Sequence, residues 1–337
     1  MMPAGLSSIR VGVIGAGYLG QHHARIYSQL PDVNFIGVAD TARQRADKVA
    51  KTTGTKAFYD PQALLGQVDA VSIVVPTVSH HEVAGMFLEK GVHVMLEKPM
   101  TRTLSEADHL IELAEKHKVV LQVGHLERFN SAIRRLAGII REPRFVEVHR
   151  MGGFADRGTD VDVVLDLMIH DIDILLSLVP SDVYEIRAAG TPVISQSIDI
   201  ANARIEFKNG CVANVTASRV SREPMRKIRI FQPDAYFSLD YKKQELVMAR
   251  RLQSTDRPSF FSSLRRLPGM PGIVVERIKM KKEEPLKAEL ESFIQTVRSG
   301  EKPIVSGCEG REALKVALQV VEQIRLHTHR AKEAGQS

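Results

Sequence analysis

The run "IRVGVIGAGYLGQHHARIY", residues 9–27, constrains the fold of this chain more than any other stretch. It opens as a short buried strand. Three glycines follow, Gly15, Gly17 and Gly20, in G-x-G-x-x-G spacing, and a helical stretch begins behind them. Alone the spacing is weak, because glycine triplets arise by chance; between a strand and a helix it has a mechanism. Gly15 permits a tight turn, Gly17 lets backbone approach a pyrophosphate, and Gly20 lets helix and strand pack closely. The helix N-terminus then offers free N–H groups and a positive dipole end to phosphates. Asp40 closes the next strand, where a carboxylate accepts hydrogen bonds from ribose hydroxyls. Such a carboxylate repels a 2′-phosphate and favours NAD over NADP; Arg43 is the residue that would admit NADP. Tyr18 and Leu19, inside the turn, join Gly15, Gly17, Gly20 and Asp40 as expected cofactor contacts. A tight turn holding no ligand is the alternative.

The alternation continues. Strands are expected over 33–40, 70–77, 93–99 and 119–125, and helices over 22–30, 42–54, 80–91 and 105–118, the last capped by Ser105. This rhythm implies a parallel sheet with right-handed crossovers. Glu97, Lys98 and Pro99 end the strand 93–99, and ligands of open α/β sheets bind beyond that end. Pro99 makes a constrained peptide, cis included, plausible there.

After residue 125 the rhythm changes. A helix is expected over 127–140, a strand over 145–152 and a helix over 163–179. Six strand-like runs follow between 184 and 250, and helices over 287–300 and 311–327 close the chain. Consecutive strands without helices imply a largely antiparallel sheet. The expected organisation is α/β: a doubly wound parallel sheet over residues 1–124, then an α+β domain over 125–337.

The helix "VVLDLMIHDIDILLSLV" is apolar enough for a core, yet it carries Asp166, His170, Asp171 and Asp173. Burying such groups without partners is costly. On a helix, Asp166 and His170 are four residues apart and share a face. An Asp one turn from a His can orient the imidazole and stabilise its protonated form, the logic of an acid–base pair. A His satisfied structurally by a carboxylate is the plainer alternative. No metal is expected, since one His with scattered carboxylates and no second His at ligand spacing makes a poor site.

Composition narrows the class. The 337 residues are 44% hydrophobic and 26% charged, as in soluble globular proteins. No apolar run reaches the roughly 20 residues of a membrane span, and "MMPAGLSSIR" lacks a signal-peptide core; a cytoplasmic location is expected. Cys211 and Cys308 make no disulfide framework. The net charge of +6 concentrates late, with nine Lys/Arg from Arg250 to Lys282 against Asp256 and Glu276. That segment reads as a solvated basic insertion. Its only aromatics are Phe260 and Phe261, too few for a nucleic-acid platform; a positive field also suits an anionic small substrate.

"GVIGAGYLGQHHARIY", "VVPTVSHHEVA", "GVHVMLEKPMTRTLSEA" and "DLMIHDID", in that order, resemble the Gfo/Idh/MocA oxidoreductase family across almost the whole chain. The resemblance implies a Rossmann domain, then a domain whose large open sheet makes oligomer contacts in a homodimer or homotetramer. It implies NAD(P)-linked oxidation of a sugar or cyclitol hydroxyl. Lys98, Asp166 and His170 fall on the family's catalytic positions, and Thr77, His80 and Glu97 beside the nicotinamide half of the cofactor. "GHLERFNSA" and "HRMGGFADRGTDVDVVLDLMIHDIDI" resemble the branch that oxidises the 3-hydroxyl of UDP-N-acetylglucosamine or of its uronic acid. The first of these leads, through an aminotransferase, to 3-amino sugars of some lipid A molecules. Ser131 and Gly153 depart from that branch, which often has Pro there. Met168, where the family favours Gly, alters packing beside His170.

By this resemblance His170 accepts the hydroxyl proton, Asp166 holds the imidazole, and Lys98 stabilises the alkoxide-like oxygen; whether Lys98 or His170 is the base stays open. A UDP-sugar carries two phosphate charges. Arg128, Arg150 and Arg157 are expected to grip them, since Arg binds phosphate oxygens in pairs, and Asn130 to read the sugar or uracil. A free-sugar or inositol dehydrogenase and a non-catalytic NAD-binding regulator are the rival readings.

Overall fold

A computed structural model describes residues 8–154, 161–252, 264–267 and 270–334. The chain forms two compact units, one running to Phe129 and taking in Glu284–Leu314, the other comprising Asn130–Glu283 and the residues from Lys315 onward.

The first unit alternates β1 (Ile9–Ile14), α1 (Tyr18–Tyr27), β2 (Val33–Ala39), α2 (Arg43–Thr53), β3 (Lys56–Phe58), β4 (Ala70–Ile73), α3 (His80–Leu88), β5 (His93–Glu97), α4 (Leu104–His117) and β6 (Leu121–Gly124). The strands form one parallel sheet in the order β3-β2-β1-β4-β5-β6. The order reverses between β1 and β4, and a crevice opens at the carboxyl ends of such neighbours. Thr103, not Ser105, caps α4: its hydroxyl accepts the Glu106 N–H at 3.2 Å, while the Glu106 carboxylate accepts the Arg102 N–H at 3.0 Å.

In the second unit, α5 (Ser131–Ala137) leads to β7 (Phe145–Met151). A π-helical turn, Val164–Met168, runs straight into α6 (Ile169–Leu178). There follow β8 (Val183–Thr191), β9 (Ile200–Phe207), β10 (Val212–Ser218), β11 (Met225–Gln232), β12 (Ala235–Asp240), β13 (Glu245–Arg251), β14 (Leu264–Leu267) and β15 (Met270–Ile278). These make a nine-stranded sheet, β14-β15-β13-β12-β11-β7-β10-β9-β8, antiparallel except for the β7–β10 pair. The basic segment expected to be an insertion therefore supplies strands: β14 is the sheet's edge, and edge strands tolerate Lys and Arg because charge blocks further pairing.

The last helices are α7 (Pro285–Ser299) and α8 (Gly307–Ala334). Dividing the chain at 124/125 would give α7 to the second domain; it belongs to the first unit. The reason is its apolar stripe. Leu290, Phe293 and Ile294 are buried with Val11, Val13, Ala24 and Tyr27, each such side chain contributing about 1.5–3 kcal/mol.

Candidate active site

A cleft of about 460 Å³ opens at the carboxyl ends of β1 and β4, lined among others by Gly15, Gly17, Tyr18, Leu19, Asp40, Arg45, Glu97 and Lys98. Gly15 has φ +99°, and a Cβ there would stand 2.4 Å from the Val74 carbonyl oxygen. At Gly20 a Cβ would stand 1.8 Å from the Gly15 carbonyl oxygen, so α1 can begin here only without a side chain. Gly17 is the opposite case: nothing lies within 4 Å of its Cβ position, which leaves a bare backbone facing open space. These three roles match those of a dinucleotide turn. Tyr18 and Leu19 are exposed beside it.

Asp40 is nearly buried and well held. Oδ2 accepts the Ala16 N–H at 2.8 Å; Oδ1 accepts the Ala42 N–H at 2.8 Å and Arg45 Nη2 at 3.1 Å. The carboxylate thus ties the glycine turn to the end of β2. The arginine lining the cleft is Arg45; Arg43 instead lies over the Tyr59 ring, 4.7 Å from its centroid.

Glu97 is buried, and the sequence showed nothing to pair it. Its Oε1 lies 3.1 Å from His23 Nε2, and its Oε2 accepts the Lys98 N–H at 3.2 Å. Burial pushes the Glu97 carboxyl up, but the His23 hydrogen bond and the charges of His23 and Lys98 outweigh it and hold the group below its usual value. The Lys98–Pro99 peptide is cis. His80 is buried between two carbonyls, with Nδ1 3.0 Å from the Pro99 oxygen and Nε2 2.9 Å from the Val75 oxygen. Burial lowers its pKa despite both carbonyls. It clasps the loop after β4 to the segment after β5, and the half-buried Thr77 opens the 3-10 turn between.

Arg128 is half-buried in a 3-10 turn, Leu126–Phe129, of this first unit. Asn130 begins the second unit, buried at the N-cap of α5: its side-chain oxygen accepts the Ala132 N–H at 3.0 Å, and its amide donates to the Tyr241 carbonyl at 3.4 Å. Arg157 lies outside the described residues.

The second cluster sits where α6 begins. Within the π turn the Ile169 N–H reaches back to the Val164 carbonyl, five residues away. Asp166 lies in this turn and His170 just past it, so the expected regular α-helix is wider by one residue where the two stand. Such single π turns recur at functional sites. His170 is 9% exposed and Met168 fully buried. Two buried pairs brace the region. Asp171 grips Arg150 through Nε at 2.7 Å and Nη2 at 2.9 Å. Asp199 accepts Arg219 Nε at 2.7 Å, and Arg219 Nη1 donates to the Val161 carbonyl at 2.6 Å, just before the π turn.

Residues 9–125 match the family model described as "Oxidoreductase family, NAD-binding Rossmann fold", and residues 132–236 match the GFO/IDH/MocA C-terminal domain. The chain belongs to the Gfo/Idh/MocA oxidoreductase family. As a member it is an oxidoreductase with a nucleotide site of the NAD type. It is 40% identical to UDP-N-acetylglucosamine 3-dehydrogenase of Acidithiobacillus ferrooxidans over 93% of this chain and 96% of the relative. It is 27% identical to myo-inositol 2-dehydrogenase of Thermotoga maritima over 91% and 93%. A solved structure of the A. ferrooxidans enzyme superposes with a TM-score of 0.86 at 39% identity, covering 94% of this chain and 97% of that one. Among the described residues no helix is long and apolar enough to cross a membrane.

The glycine turn of this Gfo/Idh/MocA member can be tested alone. Gly20→Ala forces a methyl group into the Gly15 carbonyl. It should abolish most NADH binding, read as loss of the nicotinamide fluorescence change on titration; saturation at wild-type concentrations would show the turn is not needed.

Proposed function

We propose that this protein oxidises the 3-hydroxyl of a UDP-sugar, UDP-N-acetylglucosamine being the preferred one, to the 3-keto form. The observation that carries the reading is the 40% identity to a UDP-N-acetylglucosamine 3-dehydrogenase over nearly the full length of both chains. The cleft of the first unit, with its bare Gly17 backbone and the Asp40 carboxylate at its edge, suits NAD. With Arg43 stacked on Tyr59 and Arg45 already paired with Asp40, NAD is favoured over NADP. When bound, that nucleotide supplies a hydride acceptor.

The chain's own groups do the rest. His170 takes the proton of the alcohol, Asp166 holds the imidazole and offsets its developing charge, and Lys98 stabilises the oxygen as it becomes alkoxide-like. Tyr18, Leu19, Thr77 and Glu97 shape the nucleotide's surroundings, while His80 acts from beneath by fixing two loops. Arg128 is the candidate for the pyrophosphate. Arg150 and Asn130 serve the second unit's framework instead, because their side chains are engaged there. The ketone is a natural substrate for an aminotransferase, on the way to 3-amino sugars of the lipid A type. The exposed side of the nine-stranded sheet carries Phe231 in ring contact with both Phe145 and Tyr236, an aromatic patch suited to a homodimer or homotetramer.

Mixing protein, NAD and substrate tests the reading. NADH should form with UDP-N-acetylglucosamine when a ketone-consuming aminotransferase is present to pull the equilibrium. Free N-acetylglucosamine and inositol should give rates about a hundredfold lower, the loss expected when a pyrophosphate's charge-assisted contacts are missing. Equal or faster oxidation of inositol would overturn the assignment.

A further inference from the structure

We propose that His23, on α1, is a positioning residue for the oxidation, acting through Glu97 on Lys98. The inference rests on the reading that Lys98 takes part in that reaction. His23 is wholly buried, one turn past Gly20 on the helix that opens the nucleotide turn. Its Nε2 lies 3.1 Å from Glu97 Oε1, and among the described residues its Nδ1 meets no hydrogen-bond partner, so Glu97 sets the ring's orientation. The other Glu97 oxygen accepts the Lys98 N–H. Gly124, at the end of β6, makes the room: a Cβ there would stand 3.0 Å from Oε2.

The chemistry follows from burial. A carboxyl group removed from water prefers to be neutral unless something favours its charge. The groups that do so at Glu97 are His23 from α1 and Lys98 from its own strand end, and the Glu97 charge is in turn felt by His80 of α3. Without His23 the carboxyl takes up a proton nearer neutrality. It then presents a weaker acceptor to the Lys98 backbone and no countercharge to its ammonium group. One helix thus carries both the phosphate turn and the group that tunes the E-K-P corner.

The test uses the full chain with NAD and UDP-N-acetylglucosamine, and the variants His23→Leu, His23→Gln, Glu97→Gln and His23→Leu/Glu97→Gln. His23→Leu should lower kcat about tenfold to a hundredfold, as misplacement of a reacting group does, with KM for NAD little changed. The acid limb of its pH profile should move up by about one unit. His23→Gln, which keeps an N–H donor near the Nε2 position, should recover part of kcat. In the Glu97→Gln background, His23→Leu should add nothing. Wild-type kcat and acid limb in His23→Leu, or an equal loss in both backgrounds, overturns the inference. If the wild-type protein oxidises no UDP-sugar, the proposed function is what has failed. The His23–Glu97 link is then read from Tm: non-additive losses in the double variant support it and additive losses overturn it.

Discussion

His170→Ala should cut turnover about 10²–10⁴-fold, the usual worth of a positioned acid–base group, and leave NADH binding intact. The two readouts separate because the groups belong to different parts of the fold. His170 stands at the start of α6 in the second unit, whereas the nucleotide cleft is built from β1, β4, β5 and the glycine turn of the first. Lys98→Met should cost a comparable factor, about 10²–10³, because a fixed positive group near a developing oxyanion is worth roughly 3–4 kcal/mol. The pH profile of the residual His170→Ala activity settles which group is the base. If His170 accepts the proton, the acid limb disappears from that profile; if Lys98 does, the acid limb persists, because it belongs to Lys98. Unchanged turnover in His170→Ala would remove the imidazole from the mechanism and reduce this site to nucleotide binding.

What the sequence made legible is what depends on neighbours in the chain. The glycine turn could be read because its steric demands are local: Gly15 and Gly20 meet backbone within a few residues or at the adjoining strand. Pairings across the fold could not. His23 and Glu97 are 74 positions apart, and "QHHA" gives no sign of which histidine faces inward until Ala24, Ile26 and Tyr27 bury that side of α1. The π turn has no local signature, so the sequence predicts a regular helix through Asp166 and His170. β3 spans three residues, too short for a period to show, and β14–β15 were hidden by their charge and by Pro268, Gly269, Pro271 and Gly272. The periodicity of 127–140 predicts one helix, but Asn130, a good N-cap, divides a 3-10 turn from α5.

The buried Arg150–Asp171 pair shows how much rides on such a non-local contact. The side chains are 4% and 0% exposed and share two hydrogen bonds of 2.7 and 2.9 Å. Removing one partner leaves a charge stranded in the core, which costs about 3–5 kcal/mol. Arg150→Met and Asp171→Leu should each lower Tm by about 6–20 °C. The double variant should lose far less, because replacing both members of a buried pair by apolar groups removes the desolvation penalty along with the attraction. This contrast decides what Arg150 does. A residue whose work is to hold a pyrophosphate would, on truncation, weaken UDP protection and leave Tm alone. A residue that fastens β7 to the helix bearing His170 must move Tm and must be coupled to Asp171. A Tm shift below about 2 °C in Arg150→Met, with UDP protection lost, would return Arg150 to the substrate; a large shift largely reversed in the double variant keeps it in the framework that aims the imidazole.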